Sequence, residues 1–110
     1  MKCILVPTSS EALIRLDLDE CIDGDLIEEI FNEDDYDALW KTGVFNHINN
    51  HLSINIDDYE NEELLGANNL LQAKSIVEGE LFSSGEHILI RLLSQINKGI
   101  AYNTGVFFYF

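Results

Sequence analysis

The chain has few of the residues on which several common kinds of function depend. It has a single proline, Pro7, and two cysteines, Cys3 and Cys21, without a C-x-x-C spacing. Two isolated cysteines without a cluster of partner residues are typical of free thiols in a cytosolic protein. We expect two reduced thiols, although the sequence alone leaves a disulfide between them open.

Basic residues are equally scarce. Only 6 Lys and Arg oppose 20 Asp and Glu, which gives a formal net charge of -14 over 110 residues. Such a charge repels nucleic-acid phosphates and anionic membrane surfaces, so we expect no direct binding to either. It favours rapid association with a basic protein instead.

Long apolar runs are also missing. The N-terminal segment carries one positive charge and an apolar run of four residues, which is too short for the core of a signal peptide. No stretch approaches the ~20 apolar residues of a membrane span, so we expect a cytoplasmic protein. With an apolar fraction of 46%, residues 1–110 are predicted to form one folded domain.

No catalytic or metal-binding motif is complete. Residues 19–24 have the spacing that opens a calcium loop, but Cys21 replaces an oxygen ligand and Ile30 replaces the closing glutamate. His47 and His51 lie four residues apart, yet the glutamate of a zinc-protease helix is missing between them. There is neither a G-x-S-x-G motif nor a glycine-rich phosphate loop. We therefore predict a protein that is not an enzyme and has no metal or cofactor.

Acidic residues form two clusters. Residues 17–37 contain eleven carboxylates, residues 57–63 contain five, and neither segment has a Lys or Arg. Aromatic side chains beside carboxylates make strong contacts with Arg- or Lys-rich surfaces; we expect Tyr36 to be the more exposed aromatic and Trp40 to lie in the core. The predicted partner-binding residues are Asp25, Glu28, Glu29, Glu33, Asp34, Asp35, Tyr36, Asp37, Asp57 and Asp58.

Hydrophobic periodicity predicts an α+β fold, with several short helices packed on a small antiparallel sheet. Residues 2–6 form a short apolar strand that ends at Pro7, and alternation over residues 11–19 predicts a second strand. Residues 8–11 also match a capping box, which would begin a helix there instead. Asp25 is predicted to cap an amphipathic helix with an acidic outer face.

The rest of the chain is predicted to be mostly helical. Asp34 or Asp35 is expected to cap one short helix that ends at Gly43, and a further helix covers residues 44–52. Residues 61–78 are also predicted to be helical and to end at Gly79, with two shorter helices as the alternative because Gly66 and residues 68–69 weaken the middle. A short strand edge is assigned to residues 54–56.

The last third ends in a predicted hairpin. Ser84 is expected to cap a final helix that ends near Gly99. Turn chemistry at residues 103–105 then predicts a hairpin between residues 100–102 and 106–110. Because an exposed V-F-F-Y-F run would aggregate, this arm should pair inside the sheet, close to the N-terminal strand.

In size, charge and α+β pattern, the whole chain resembles the small acidic immunity proteins that accompany bacterial toxins, including those of contact-dependent growth inhibition. The resemblance implies an antitoxin that binds a cognate basic toxin as a monomer in a 1:1 complex. A nuclease is the expected class of toxin, and occlusion of its active site is the expected mechanism.

Residues 37–40, D-A-L-W, resemble the same tetrapeptide in the barstar family, which inhibits a secreted ribonuclease. There this helix and its entry loop face the nuclease, which implies a contact for Asp37. The chain departs from that pattern at Lys41, where barstar has an aspartate, and at residues 32–35, where a glycine-bearing loop is replaced by N-E-D-D.

Two alternative functions are consistent with the same acidic sequence. A nucleic-acid mimic would inhibit a DNA- or RNA-binding protein, and its carboxylates should follow an elongated, duplex-like surface. An adaptor or structural module would need no basic partner, and its binding should not depend on salt.

Overall fold

Antiparallel strands form the sheet on which the rest of the chain packs. The structure is a computed structural model that describes residues 2–110, and within them the sheet has four strands in the order β2-β1-β4-β3. The strands are β1 (Lys2–Pro7), β2 (Leu26–Phe31), β3 (Glu62–Leu65) and β4 (Gly105–Tyr109). The predicted α+β class is confirmed, as is the pairing of the final segment with the N-terminal strand.

Five helices accompany the sheet over residues 2–110. They are α1 (Ser10–Asp17), α2 (Glu33–Lys41), α3 (Val44–Leu52), α4 (Ala67–Ser84) and α5 (Ile88–Tyr102). Because side chains alternate across a strand, Ile4, Val6 and Phe108 face the main core with α2 to α5. Their neighbours Leu5 and Phe107 lie outside that core, on the opposite face.

Helix α1 replaces the strand predicted over residues 11–19. The Ser9 side chain accepts a hydrogen bond from the Ala12 N–H at 3.0 Å and caps the helix. The capping signal therefore predicted the helix correctly, but the cap is Ser9 and not Thr8, whose hydroxyl donates to the Gly24 carbonyl oxygen at 2.8 Å. The alternation over residues 11–19 has no partner strand in the sheet.

Strand β2 replaces the helix predicted after Asp25. All six of its residues pair with β1, from Leu26 opposite Pro7 to Phe31 opposite Lys2. The apolar residues of this segment fit a helical stripe and a two-sided strand equally well, so the long-range pairing with β1 decided its structure.

The helices predicted over residues 44–52 and after Asp34 are confirmed as α3 and α2. The segment predicted to be helical over 61–78, as one helix or two, contains β3 and then α4, divided at Gly66, whose φ is 89°. Helix α4 continues through Gly79, which is exposed and does not end it. Residues 54–56 form no strand.

The first arm of the predicted hairpin is wrong, because residues 100–102 are the last turn of α5. Asn103, with φ of 55°, ends that helix in the left-handed conformation. Gly99 lies inside α5, where a Cβ would meet Val106 Cγ2 at 3.2 Å and the Gly105 carbonyl oxygen at 3.3 Å. Its missing side chain therefore lets β4 approach the helix closely.

A buried glutamine joins α5 to the sheet. Gln95 is 0% exposed, and its Nε2 donates to the carbonyl oxygens of Ile4 at 2.9 Å and Ile27 at 3.0 Å. Both β1 and β2 are thereby fixed to α5 at one point. Over residues 2–110, none of the helices has the combination of length and hydrophobicity that crossing a membrane requires.

Candidate protein-interaction site

Helix α2 and the loop over residues 53–61 bring together four of the predicted partner-binding residues. They line a shallow depression of about 380 Å³, whose lining residues are Tyr36, Asp37, Trp40, Lys41, Asp57, Asp58 and Tyr59. We call the outward-facing part of this surface the acidic–aromatic patch, defined by Asp37, Trp40, Asp57, Asp58 and Tyr59. The two segments are about 20 residues apart in sequence, so the patch depends on the fold.

Tyr36 joins α2 to the loop from beneath the patch. Its hydroxyl donates a hydrogen bond to Asp58 Oδ1, which also lies 3.4 Å from Lys2 Nζ. Burial and the bond to Asp58 raise the pKa of Tyr36, so the hydroxyl keeps its proton. Lys2 Nζ also lies 4.8 Å from the centroid of the Tyr36 ring.

The prediction that Tyr36 would be the more exposed of the two α2 aromatics is wrong. It is only 5% exposed, because the inward face of α2 places its ring against Phe110, with centroids 4.8 Å apart. Trp40 is partly buried and packs against the core, with Phe45 at 5.0 Å between centroids. Trp40 therefore has more accessible surface in the patch than Tyr36 has.

Tyr59 is the exposed aromatic of the patch, and the sequence analysis missed it. Asp57 Oδ1 accepts hydrogen bonds from the N–H groups of Tyr59 at 2.9 Å and Glu60 at 3.1 Å. These backbone bonds, the Tyr59 bond foremost, lower the pKa of Asp57. The resulting turn leaves Tyr59 94% exposed. The sequence signal that could have identified Tyr59 as a binding residue is its position inside the second acidic cluster.

The first turn of α2 extends the acidic surface beyond the patch. Asn32, rather than Asp34 or Asp35, caps the helix, since its Oδ1 accepts from the Asp35 N–H at 2.8 Å. Glu33 and Asp34 are exposed there, where the helix dipole favours negative charge. Lys41 lies one helical turn after Asp37, so this cation borders the acidic surface, as Lys2 does at Asp58.

Two further predicted residues are paired with a cation beside α2. Arg91 Nε lies 2.5 Å from Glu29 Oε1, and its Nη1 lies 2.8 Å from Asp35 Oδ2. The same guanidinium donates to the Ile30 carbonyl oxygen at 2.7 Å and lies 4.2 Å from the Phe31 ring centroid. Glu29 and Asp35 therefore join β2, α2 and α5, and their charge is partly neutralised.

Asp25 is separate from this surface. It is 4% exposed, and its two carboxylate oxygens accept from Arg15 Nε and Nη2, each at 2.7 Å. The bonds from Arg15 and from the Ile22 N–H lower the pKa of Asp25 to about 2. Asp25 precedes β2 whereas α2 follows it, so about 20 Å of strand separates the two. We therefore leave Asp25 out of the candidate site.

Glu28 also lies apart from α2. It alternates with Glu29 along β2, so its side chain faces the opposite side of the sheet. There, burial raises the pKa of Cys3 to about 11, with Glu28 and Glu29 adding to the effect. Burial likewise raises the pKa of Cys21. Both cysteines are free, and neither thiol is ionised at neutral pH.

His47 and His51 lie on α3 and line a depression against α4. His47 Nδ1 is 3.3 Å from Glu80 Oε1, but within residues 2–110 no group of three His, Cys, Asp or Glu is placed to hold a metal ion.

Comparisons of the chain with protein-family models, with characterised proteins and with solved structures gave no significant match.

Proposed function

We propose that the chain is an immunity protein, or antitoxin, which binds a basic protein toxin and blocks its active site, with a nuclease as the class of toxin. The acidic–aromatic patch is the observation that carries this proposal. It joins three carboxylates to Trp40 and Tyr59 on a chain of net charge -14. Carboxylates in such a cluster can take the place of substrate phosphates in a basic cleft.

The charge and the aromatics have different roles in this mechanism. Electrostatic steering by the acidic surface raises the association rate, toward ~10⁸–10⁹ M⁻¹s⁻¹ at low salt. Trp40 and Tyr59 then supply apolar contact area, which slows dissociation once the partner has displaced water. The patch therefore predicts fast, salt-dependent association and slow dissociation.

The geometry also supports the proposal because much of the patch is fixed before binding. Asp58 is bonded to Tyr36, and Asp57 is held by its own turn. Ordered groups lose less conformational entropy when a partner binds. Asp34 and Asp37 are exposed on the outer side of α2 and are free to contact the partner directly.

The shape of the chain favours this function over nucleic-acid mimicry. The radius of gyration is 13.2 Å and the extents are 38 × 29 × 23 Å, whereas a mimic should present a rod-like surface. A compact monomer in a 1:1 complex and a cytoplasmic location both follow from the proposal, since such a protein would guard the nucleic acid of its own cell.

The test compares two variants of equal charge against the partner that the protein captures. One carries Asp34→Lys and Asp37→Lys on α2. The matched control carries Asp23→Lys before β2 and Glu78→Lys on α4, both at exposed positions. Each substitution adds two charges, so both variants change the net charge from -14 to -10.

We expect the α2 variant to lose about tenfold or more in affinity, mainly through a slower association rate, and the control to lose much less. The association rate of the wild type should fall steeply between about 50 and 500 mM salt. Equal effects of the two variants would remove α2 from the interface. Salt-independent binding would point to an adaptor instead.

A further inference from the structure

The sheet face opposite α2 to α5 is only partly covered. Helix α1 lies on this face, and its eight residues span only about 12 Å. Between α1 and strands β3 and β4 lies a groove of about 650 Å³, which we call the α1 groove. It is larger than the depression at the acidic–aromatic patch.

Most of the residues that line the groove are aliphatic or aromatic. Phe107 and Tyr109 contribute from β4, Leu65 from β3, and Leu13 and Leu16 from α1. Leu65 remains 39% exposed, and at the end of α1 Leu18 is 58% exposed. Contiguous exposed apolar surface of this kind is typical of interaction sites.

The rim of the groove is acidic. Asp17 borders it from α1 and Glu63 borders it from β3, and both side chains are exposed. No Lys or Arg is among the described residues that line it. An occupant that matches this surface has apolar side chains flanked by basic ones.

The edge of β3 is already occupied, which restricts how such an occupant can bind. Glu62 Oε1 accepts from the Glu63 N–H at 2.9 Å, and Asn69 Nδ2 donates to the Leu65 carbonyl oxygen at 3.1 Å. These side chains thereby form hydrogen bonds with backbone groups to which an added strand would need to bond. The occupant should therefore lie across the groove rather than extend the sheet.

We propose that the α1 groove is a second protein-docking site, which receives a basic amphipathic helix of a partner protein. Such a helix inserts its apolar residues between α1 and β4, and its Lys or Arg residues meet Asp17 and Glu63. A second copy of this chain is a poorer occupant, because two chains of charge -14 repel each other. The inference does not depend on the immunity function.

The probe is a 14-residue synthetic peptide of Leu and Lys with its leucines spaced for one face of a helix. A peptide of the same composition in scrambled order is its control. Binding to the ¹⁵N-labelled protein is followed by NMR at about 150 mM salt, where unspecific charge attraction is screened. The variant Leu65→Ser tests the groove, and Leu71→Ser on α4, where the leucine is 54% exposed, is the matched variant.

We expect the amphipathic peptide to shift the amide signals of Leu13, Leu65 and Phe107, and to bind more tightly than the scrambled peptide. Leu65→Ser should weaken peptide binding about fivefold or more, since it removes the apolar contact that Leu65 makes with the peptide. Leu71→Ser should leave the affinity unchanged.

Four results would overturn the inference. Shifts centred on α2 and residues 53–61 would assign the peptide to the acidic–aromatic patch. Equal binding of the scrambled peptide, or no effect of Leu65→Ser, would show attraction by charge alone. A concentration-dependent dimer in sedimentation, abolished by Leu65→Ser, would assign the groove to a second copy of the chain.

Discussion

The bond between Tyr36 and Asp58 should fasten the loop over residues 53–61 to α2, and Tyr36→Phe removes it while keeping the ring. A hydrogen bond to a charged group contributes roughly 1.5–3 kcal/mol. The Asp58 side chain is 57% exposed, so water weakens this bond, and we expect a loss near the lower end, about 1.5 kcal/mol. With a urea m-value of ~1.5 kcal/mol/M, the unfolding midpoint should fall by about 1 M.

Tyr59→Phe is the matched control for Tyr36→Phe. Tyr59 is 94% exposed, so removal of its hydroxyl should change the free energy of unfolding by no more than about 0.5 kcal/mol. The two variants remove the same atom, and both are followed by urea unfolding with circular dichroism. Equal midpoints for Tyr36→Phe and the wild type would refute the fastening role of this bond.

The pH dependence gives a second arm of the same test. The folded state raises the pKa of Tyr36 above that of an unfolded tyrosine, about 10. The stability that comes from the neutral hydroxyl is therefore complete below about pH 10 and is lost as the pH rises above it. Tyr36→Phe should lose less stability between about pH 10 and 11 than the wild type does.

Three further substitutions have effects whose direction follows from the structure. The pKa of Asp25 is held at about 2, below the unfolded value of about 3.9, so its stabilising effect is complete above about pH 4 and is lost as the pH falls toward 2. Asp25→Asn should therefore flatten the decline in stability over that interval, measured by urea unfolding, and an unchanged slope would contradict the assignment. Gly105→Ala places a Cβ 2.9 Å from the Leu64 carbonyl oxygen, which should cost about 2 kcal/mol in thermal or urea unfolding. Gly79→Ala, where no atom lies within 4 Å, should instead stabilise α4 by up to about 1 kcal/mol; destabilisation by both would show a general intolerance of substitution.

Local sequence patterns were sufficient to predict those elements of the fold that depend mainly on interactions within a short segment. The apolar N-terminal run gave β1, and the aggregation-prone V-F-F-Y-F end was correctly placed in the sheet beside it. Helices α2 and α3 also followed from their periodicity and from Gly43, whose φ of 82° separates them.

The errors lie where one pattern fits two structures. Residues 26–31 have apolar positions on both sides, and only the pairing with β1 makes them a strand. Residues 100–102 have strand-like composition but continue α5, because Gly99 lets that helix pack closely on β4. Such long-range contacts cannot be obtained from spacing within one segment.

The sequence predicted the negative charge of the candidate site but not the spatial arrangement of its residues. The sequence placed Asp37, Asp57 and Asp58 in acidic clusters, and the fold brings these clusters together through Tyr36. The sequence could not show that Asp25 would form an ion pair with Arg15, ten residues earlier in the chain. Nor did it show that Tyr59, rather than Tyr36, would be exposed, since that depends on the turn at Asp57.

The most direct test of the proposed immunity function is capture of the partner from the native host. The tagged wild type, the variant with Asp34→Lys and Asp37→Lys, and the equal-charge control are used in parallel at low salt. Captured proteins are identified by mass spectrometry and then assayed for nuclease activity. We predict that the wild type and the control retain a basic nuclease in stoichiometric amount, that the wild type inhibits it, and that the α2 variant loses it. Recovery of a housekeeping nucleic-acid-binding protein, or of no basic partner from any of the three, would contradict the proposal.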